Sequence, residues 1–96
     1  MRARQIDLSS AVKLPSNTFD MRGMRVDEGL DALSEFLDQC LLRHHDSAFI
    51  LHGHGTGALK KAVRDWLPSS AHIDRWARAN EDQGGDAFTV VALKSS

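Results

Sequence analysis

Two histidines alternate with three glycines in the run His52-Gly53-His54-Gly55-Thr56-Gly57. Imidazole changes charge near neutral pH, so either ring can act as a general acid or base. Glycines at alternate positions permit backbone turns closed to other residues and let a ligand approach the main chain. The run opens onto an apolar-periodic segment at Ala58, and the unpaired amides of a helix start receive phosphate well. Gly53, His54, Gly55, Thr56 and Gly57 are therefore candidate phosphate-binding positions. Simpler readings stay open: a tight strand–helix connection, His52 buried and holding the loop by a ring hydrogen bond, and Thr56 as a helix cap. The G-x-x-x-x-G-K-[ST] pattern is absent, so no nucleotide site is expected. His-x-His without further ligands at suitable spacing does not suggest zinc.

A second group lies at Asp20-Met21-Arg22-Gly23-Met24-Arg25. A carboxylate at Asp20 can bind a divalent metal, orient a histidine, or satisfy backbone amides as a turn residue. Arg22 and Arg25 can hold phosphates and stabilise charge developing at phosphorus. Lys60 and Lys61 begin the helix after the glycine run and are candidate phosphate contacts. Arg64 reads as part of a solvated helix face. Glu81 is a loop acid, and Trp76 can stack on a base if it faces an open side of the sheet.

These groups need a scaffold to meet. Thr18–Arg22 reads as a short strand. Val26, Leu30, Leu33, Leu37 and Leu41 then recur at helical spacing, widened by Phe36 and Cys40, which predicts a helix from about Val26 to Arg43. Ser47–Leu51 is a short apolar strand. Leu59, Ala62, Val63, Trp66 and Leu67 mark a second helix, which Pro68 stops. Ile73–Ala79 is a third strand, and Ala87–Leu93, the most apolar, is expected to be central. Strand–helix–strand units join parallel strands by right-handed crossovers, and the last two strands, joined by a short turn, should be antiparallel. The expected architecture is α/β: a two-layer sandwich with a four-stranded mixed sheet and two helices on one face. Parallel strands share a carboxyl edge, and ligands bind beyond such edges. Asp20–Gly23, His52–Gly57 and, if strand three is also parallel, Asn80–Asp82 would meet there. Residues 1–15 show no sustained period and are expected to be linker or N-terminal extension, with Ile6, Leu8, Val12 and Leu14 able to pack on the core.

The chain has 96 residues, 42 % hydrophobic and 26 % charged, which is normal for one globular domain. The single cysteine, Cys40, allows no intrachain disulfide and fits a reducing cytoplasm. No apolar run approaches the roughly 20 residues of a membrane-spanning helix, and no signal-peptide core follows the basic N-terminus. The formal net charge is −1, so any strong phosphate affinity must come from a local patch or from a larger parent protein.

Phe19-Asp20-Met21-Arg22-Gly23 resembles the L-D-L-R/H-G signature of the Smr (small MutS-related) family. His52-Gly53-His54-Gly55-Thr56-Gly57 resembles its H-G-x-G-T-G motif, and Asn80-Glu81, Gly84-Gly85-Asp86 and Thr89-Val90-Val91 resemble its final hairpin. The spacing agrees, and the resemblance covers about residues 17–93, which sets an Smr domain at 16–94. Phe19 and Met21 stand where leucine is common, Asp82-Gln83 lengthens the hairpin loop, and Ala87 replaces a frequent glycine. The resemblance implies a fold like the C-terminal domain of bacterial translation initiation factor three, with strand order 1-2-4-3. It implies endonucleolytic nicking of DNA or cleavage of RNA with little sequence preference, aided by Mg²⁺ or Mn²⁺, in a cytoplasmic domain carried by a larger MutS-like ATPase. Asp20, Arg22 and His52 become the catalytic candidates, with Asp20 the candidate metal ligand. Two other readings remain: a non-catalytic module binding nucleic acid or ribosome, and a protein-interaction domain in which the motif is only structural.

Overall fold

A computed structural model describes residues 7–94. Its elements run β1 (Thr18–Asp20), α1 (Val26–Leu42), β2 (Ser47–Leu51), α2 (Ala58–Trp66), β3 (Ile73–Arg78) and β4 (Phe88–Leu93). The sheet order is β1-β2-β4-β3, with β1 parallel to β2 and β4 antiparallel to both β2 and β3. The mixed sheet and paired helices match the expected α/β sandwich. β4 is the central, most apolar strand, and every residue from Thr89 to Leu93 is buried.

α1 buries Gly29, Leu33, Leu37 and Cys40, the stripe that its periodicity demands. Val26, expected on that stripe, is 39 % exposed and lines an open cleft instead. α2 contributes Val63, and Leu67 and Pro68 form a 3-10 turn directly after it. The core joins Leu33, Leu37 and Cys40 of α1 and Val63 of α2 to Ala48 and Ile50 of β2, Ile73 of β3, and Val91 and Leu93 of β4. Phe19 of β1 stacks on Phe36 of α1, with ring centroids 5.1 Å apart.

β1 is shorter than the five residues expected. Met21 still donates its N–H to Leu51 O at 2.9 Å, but the chain then turns, with Met24 N–H reaching back to Met21 O. Met21 is thereby swung into the core, fully buried, and Arg22 is left exposed at the edge.

The helix-free face carries its own small cluster of Phe49, Val90 and Ala79. Leu8 and Ala11 pack on it, whereas Val12 and Leu14 stay exposed; Ile6 lies outside the described residues. Side chains stitch this segment down. Asn80 Nδ2 donates to Ser9 O at 2.7 Å, Gln83 Nε2 to Ala11 O at 3.2 Å, and Lys13 Nζ to Gln83 O at 2.9 Å. Buried Asn17 ties the segment to the start of β2 through Ser47 O.

Candidate nucleic-acid interface

β1 and β2 end side by side, with Asp20 paired in register with Leu51. The chain leaving β1 and the chain leaving β2 therefore flank one opening. It is a cleft of about 530 Å³, lined by Arg22–Val26 from the first motif and by His52 through Lys60 from the second. Arg22, Arg25, His52, Gly53, His54, Gly55, Thr56, Gly57 and Lys60 thus meet as the strand ends require. Among the described residues no carboxylate lines this cleft.

Gly53, Gly55 and Gly57 take φ values of +76°, +39° and +85°. Side chains are disfavoured in this region, so the loop that brings the main chain to the cleft wall is built on glycine. Thr56 Oγ1 accepts from Ala58 N–H at 3.3 Å across a local turn. The N-cap position of α2 is Gly57, which has no side chain to cap with, so Thr56 is not the helix cap expected of it. The first turn of α2 lines the cleft, and first-turn amides lack carbonyl partners within their own helix.

Asp20 sits at the mouth rather than in the wall. Its carboxylate accepts from Arg22 Nε at 3.0 Å and Nη2 at 2.8 Å, and from Arg22 N–H at 3.0 Å. The guanidinium, and then the backbone amide, hold the Asp20 pKa below the usual carboxylate value. The other cleft cations also have acid partners: Arg25 lies 3.7 Å from Asp27, and Lys60 Nζ lies 2.6 Å from Asp86. The Arg22 and Arg25 pairs are exposed, so they hold their partners weakly.

His52 is buried, and both ring nitrogens are engaged. Nδ1 faces Gly53 O at 3.1 Å, and a carbonyl can only accept, so Nδ1 carries the proton. Nε2 must then accept from Thr89 Oγ1 at 2.8 Å. Thr89 Oγ1 in turn accepts from Arg64 Nε at 2.9 Å. Burial lowers the His52 pKa, only partly opposed by the hydrogen bond to Gly53. Burial thus favours the neutral form, and neither ring nitrogen is free for the cleft. His54 is the exposed imidazole of the wall.

Several expectations need correction. Arg64 is not a solvated helix residue: its side chain is 18 % exposed, pairs with Asp86 at 2.9 Å, and donates to Thr89 and to Phe88 O. An arginine on the outward flank of α2 is long enough to fold back over β4. Lys61 does not line the cleft; it pairs with Asp65 one turn on, at 2.8 Å. Asn80–Asp82 leave β3 at the shared edge but do not line the cleft, because β4 stands between β2 and β3 and displaces them by about two strand spacings of ~4.8 Å. Glu81 instead lies 3.8 Å from Arg78. Trp76 pairs with Val91 on the helix side of the sheet, under Arg64 at 5.0 Å, and is 37 % exposed at the edge strand, so it does not stand on the helix-free face. Asp86, Thr89 and Arg64 were missed as site residues. A hydroxyl inside the apolar run Phe88–Leu93 was the available signal.

The chain matches the family model of the Smr domain over residues 19–94, and it belongs to that family. It is 45 % identical over 75 residues to a protein of Anaeromyxobacter sp. named Endonuclease MutS2, covering 78 % of this chain and 9 % of that protein. A protein of the same name from Exiguobacterium sibiricum is 37 % identical over 79 residues, covering 82 % of this chain and 10 % of that one. The chain thus spans about a tenth of the length of these relatives. Among solved structures, the Smr domain of Thermus thermophilus MutS2 superposes with a TM-score of 0.79 at 34 % identity, covering 88 % of this chain and all of that one. YdaL, a stand-alone small MutS-related protein from Escherichia coli, superposes at 0.83 with 19 % identity, covering 99 % of this chain and 82 % of its own, and supports the fold.

Proposed function

We propose that this domain binds the phosphate backbone of DNA or RNA in the β1–β2 cleft and cleaves phosphodiester bonds with little sequence preference. The observation that carries the reading is the Asp20–Arg22 pair at the mouth of a cleft whose wall holds cations, glycine-loop main chain and a helix start, but no acid. Arg22, Arg25 and Lys60 take phosphate oxygens, with the loop Gly53–Gly57 and the first turn of α2 beneath them. When a phosphate draws the Arg22 guanidinium, Asp20 loses the partner that lowers its pKa and becomes a better base toward an attacking water. Arg22 then stabilises charge on the phosphoryl oxygens. The relatives' name, Endonuclease MutS2, agrees with this activity. The cytoplasm and attachment to a larger MutS-like ATPase remain part of the proposal.

The donor set does not fit a resident Mg²⁺ or Mn²⁺. Among the described residues no three His, Cys, Asp or Glu side chains gather as ligands. Hard cations take several oxygen ligands. No step here is assigned to a metal.

A second reading is a non-catalytic module that binds nucleic acid or the ribosome. It is favoured by one observation: both candidate bases, Asp20 and His52, already have their acceptor atoms engaged. Nicking of supercoiled DNA and cleavage of a structured RNA, with and without EDTA, separate the two. We expect wild type to cut and Asp20→Asn to lose at least about a hundredfold in rate, the lower range for a general base. Equal cutting by the two proteins, or none by wild type, would sink the enzyme reading.

A further inference from the structure

The hydrogen bonds around His52 form one chain whose two ends both lie in the cleft wall. Lys60 Nζ meets Asp86 Oδ2 at 2.6 Å, and Asp86 Oδ1 meets Arg64 Nη2 at 2.9 Å. Arg64 Nε donates to Thr89 Oγ1 at 2.9 Å, Thr89 Oγ1 to His52 Nε2 at 2.8 Å, and His52 Nδ1 to Gly53 O at 3.1 Å. Lys60 and Gly53 both line the cleft. The chain passes beneath it through α2, the β3–β4 turn and β4, so three separate elements close around the glycine loop.

Donor and acceptor chemistry orders every proton in this chain. Arginine can only donate, so one lone pair of the threonine oxygen accepts from Arg64. With the ring proton on Nδ1 given to Gly53 O, a neutral His52 presents a bare Nε2 to which the hydroxyl hydrogen points. The opposite tautomer would set an N–H against the hydroxyl and a lone pair against a carbonyl oxygen. Gly53 sits at φ +76°, and the Arg22 side chain packs within 3.3 Å of where its Cβ would be. Fixing the Gly53 carbonyl therefore fixes the wall against which Arg22 rests.

We propose that Thr89 and Arg64 are positioning residues: together they lock His52 in its Nδ1–H form and so hold the glycine loop in the shape that receives a phosphate. The inference rests on the nucleic-acid reading for its ligand, but the lock itself is tested without one. Neither residue touches the cleft opening. Thr89 is fully buried in β4, and Arg64 is spent on Asp86, Thr89 and Phe88 O.

Long-range proton–nitrogen correlation spectra of the histidine rings report the tautomer directly, with His52 assigned by its absence from His52→Gln. Wild type should show a protonated Nδ1 and a bare Nε2. Thr89→Ser, which keeps the hydroxyl, should preserve that pattern, and Thr89→Val, which keeps the shape, should lose it. Binding of a short fluorescein-labelled oligothymidylate should weaken about tenfold in Thr89→Val, the worth of one hydrogen bond, and stay near wild type in Thr89→Ser. Should Thr89→Val not fold, Arg64→Met removes the donor that orients the hydroxyl and should mix the tautomers. A wild-type ring protonated on Nε2, a valine variant that keeps the Nδ1–H form, or one that binds the oligonucleotide as wild type does overturns the proposal. Tautomers that follow Thr89 in a protein that binds no oligonucleotide uphold the lock and discard the nucleic-acid reading instead.

Discussion

Replacing Gly84 and Gly55 by alanine should separate backbone strain from steric overlap, since both glycines have positive φ but only one is crowded. Gly55, at φ +39°, has nothing within 4 Å of the position a Cβ would take. Its alanine variant carries left-handed strain alone, about 1–2 kcal/mol. Gly84, at φ +111°, would drive the same methyl into Phe88 Cδ1 and Cε1. That ring is hemmed in by Phe49 at a centroid distance of 6.5 Å and by Lys13 Nζ at 4.0 Å, so it cannot swing aside cheaply. Overpacking of this kind adds about 1–3 kcal/mol. For a domain of this size each kcal/mol lowers Tm by about 4–8 °C, so Gly84→Ala should melt roughly 4 °C or more below Gly55→Ala. Thermal unfolding followed by circular dichroism measures the difference. Equal melting temperatures would show that Phe88 yields freely and that the reasoning about the turn is wrong.

Further outcomes concern charge. Three cleft cations give a ceiling on counterion release, so log Kd for single-stranded nucleic acid should change with log salt by no more than about 2, at ~0.7 per phosphate contact. Lys60→Ala should reduce that slope, and Lys61→Ala should leave it alone; a fluorescence titration at several salt concentrations checks both. Asp86 has its pKa lowered to about 2, first by Lys60 and then by Arg64. A depressed carboxylate stabilises the fold above its unfolded value near 4 and loses that contribution as pH falls toward 2. The Tm gap between wild type and Asp86→Asn should therefore narrow between pH 4 and pH 2, and a constant gap would discount the pairing.

Helical periodicity made both helices legible, because the apolar spacing of Leu33, Leu37 and Cys40 records which side faces the core. Short apolar runs made the four strands legible, with β1 ending two residues early. The meeting of Arg22 with the Gly53–Gly57 loop also followed, since parallel neighbours must end at one edge. What was not legible depends on side-chain reach. Nothing local tells that Arg64 folds back over β4 while Lys61, three residues earlier, stays with its own helix. The insertion at Asp82-Gln83 reads as a longer loop, but its contacts with Ala11 and Lys13 are about seventy residues away along the chain. That Leu8 can pack on the core is legible from its apolar side chain, but its place against the Phe49, Val90 and Ala79 cluster is not. Asp86 belongs to the hairpin motif in the sequence, yet its importance comes from two cations on another element, Lys60 and Arg64 of α2.

The cleft cations are each matched by an acid of the same chain. Their fields therefore cancel a few ångströms from the surface, and a polyanion in solution feels little pull before contact. Capture by free diffusion is slow for such a surface. A covalent link to a protein already seated on nucleic acid changes the arithmetic, because tethering supplies an effective local concentration in the millimolar range. If the proposed function holds, intramolecular neutralisation of this kind would make the domain quiet toward bulk nucleic acid and responsive to strands that are delivered to it.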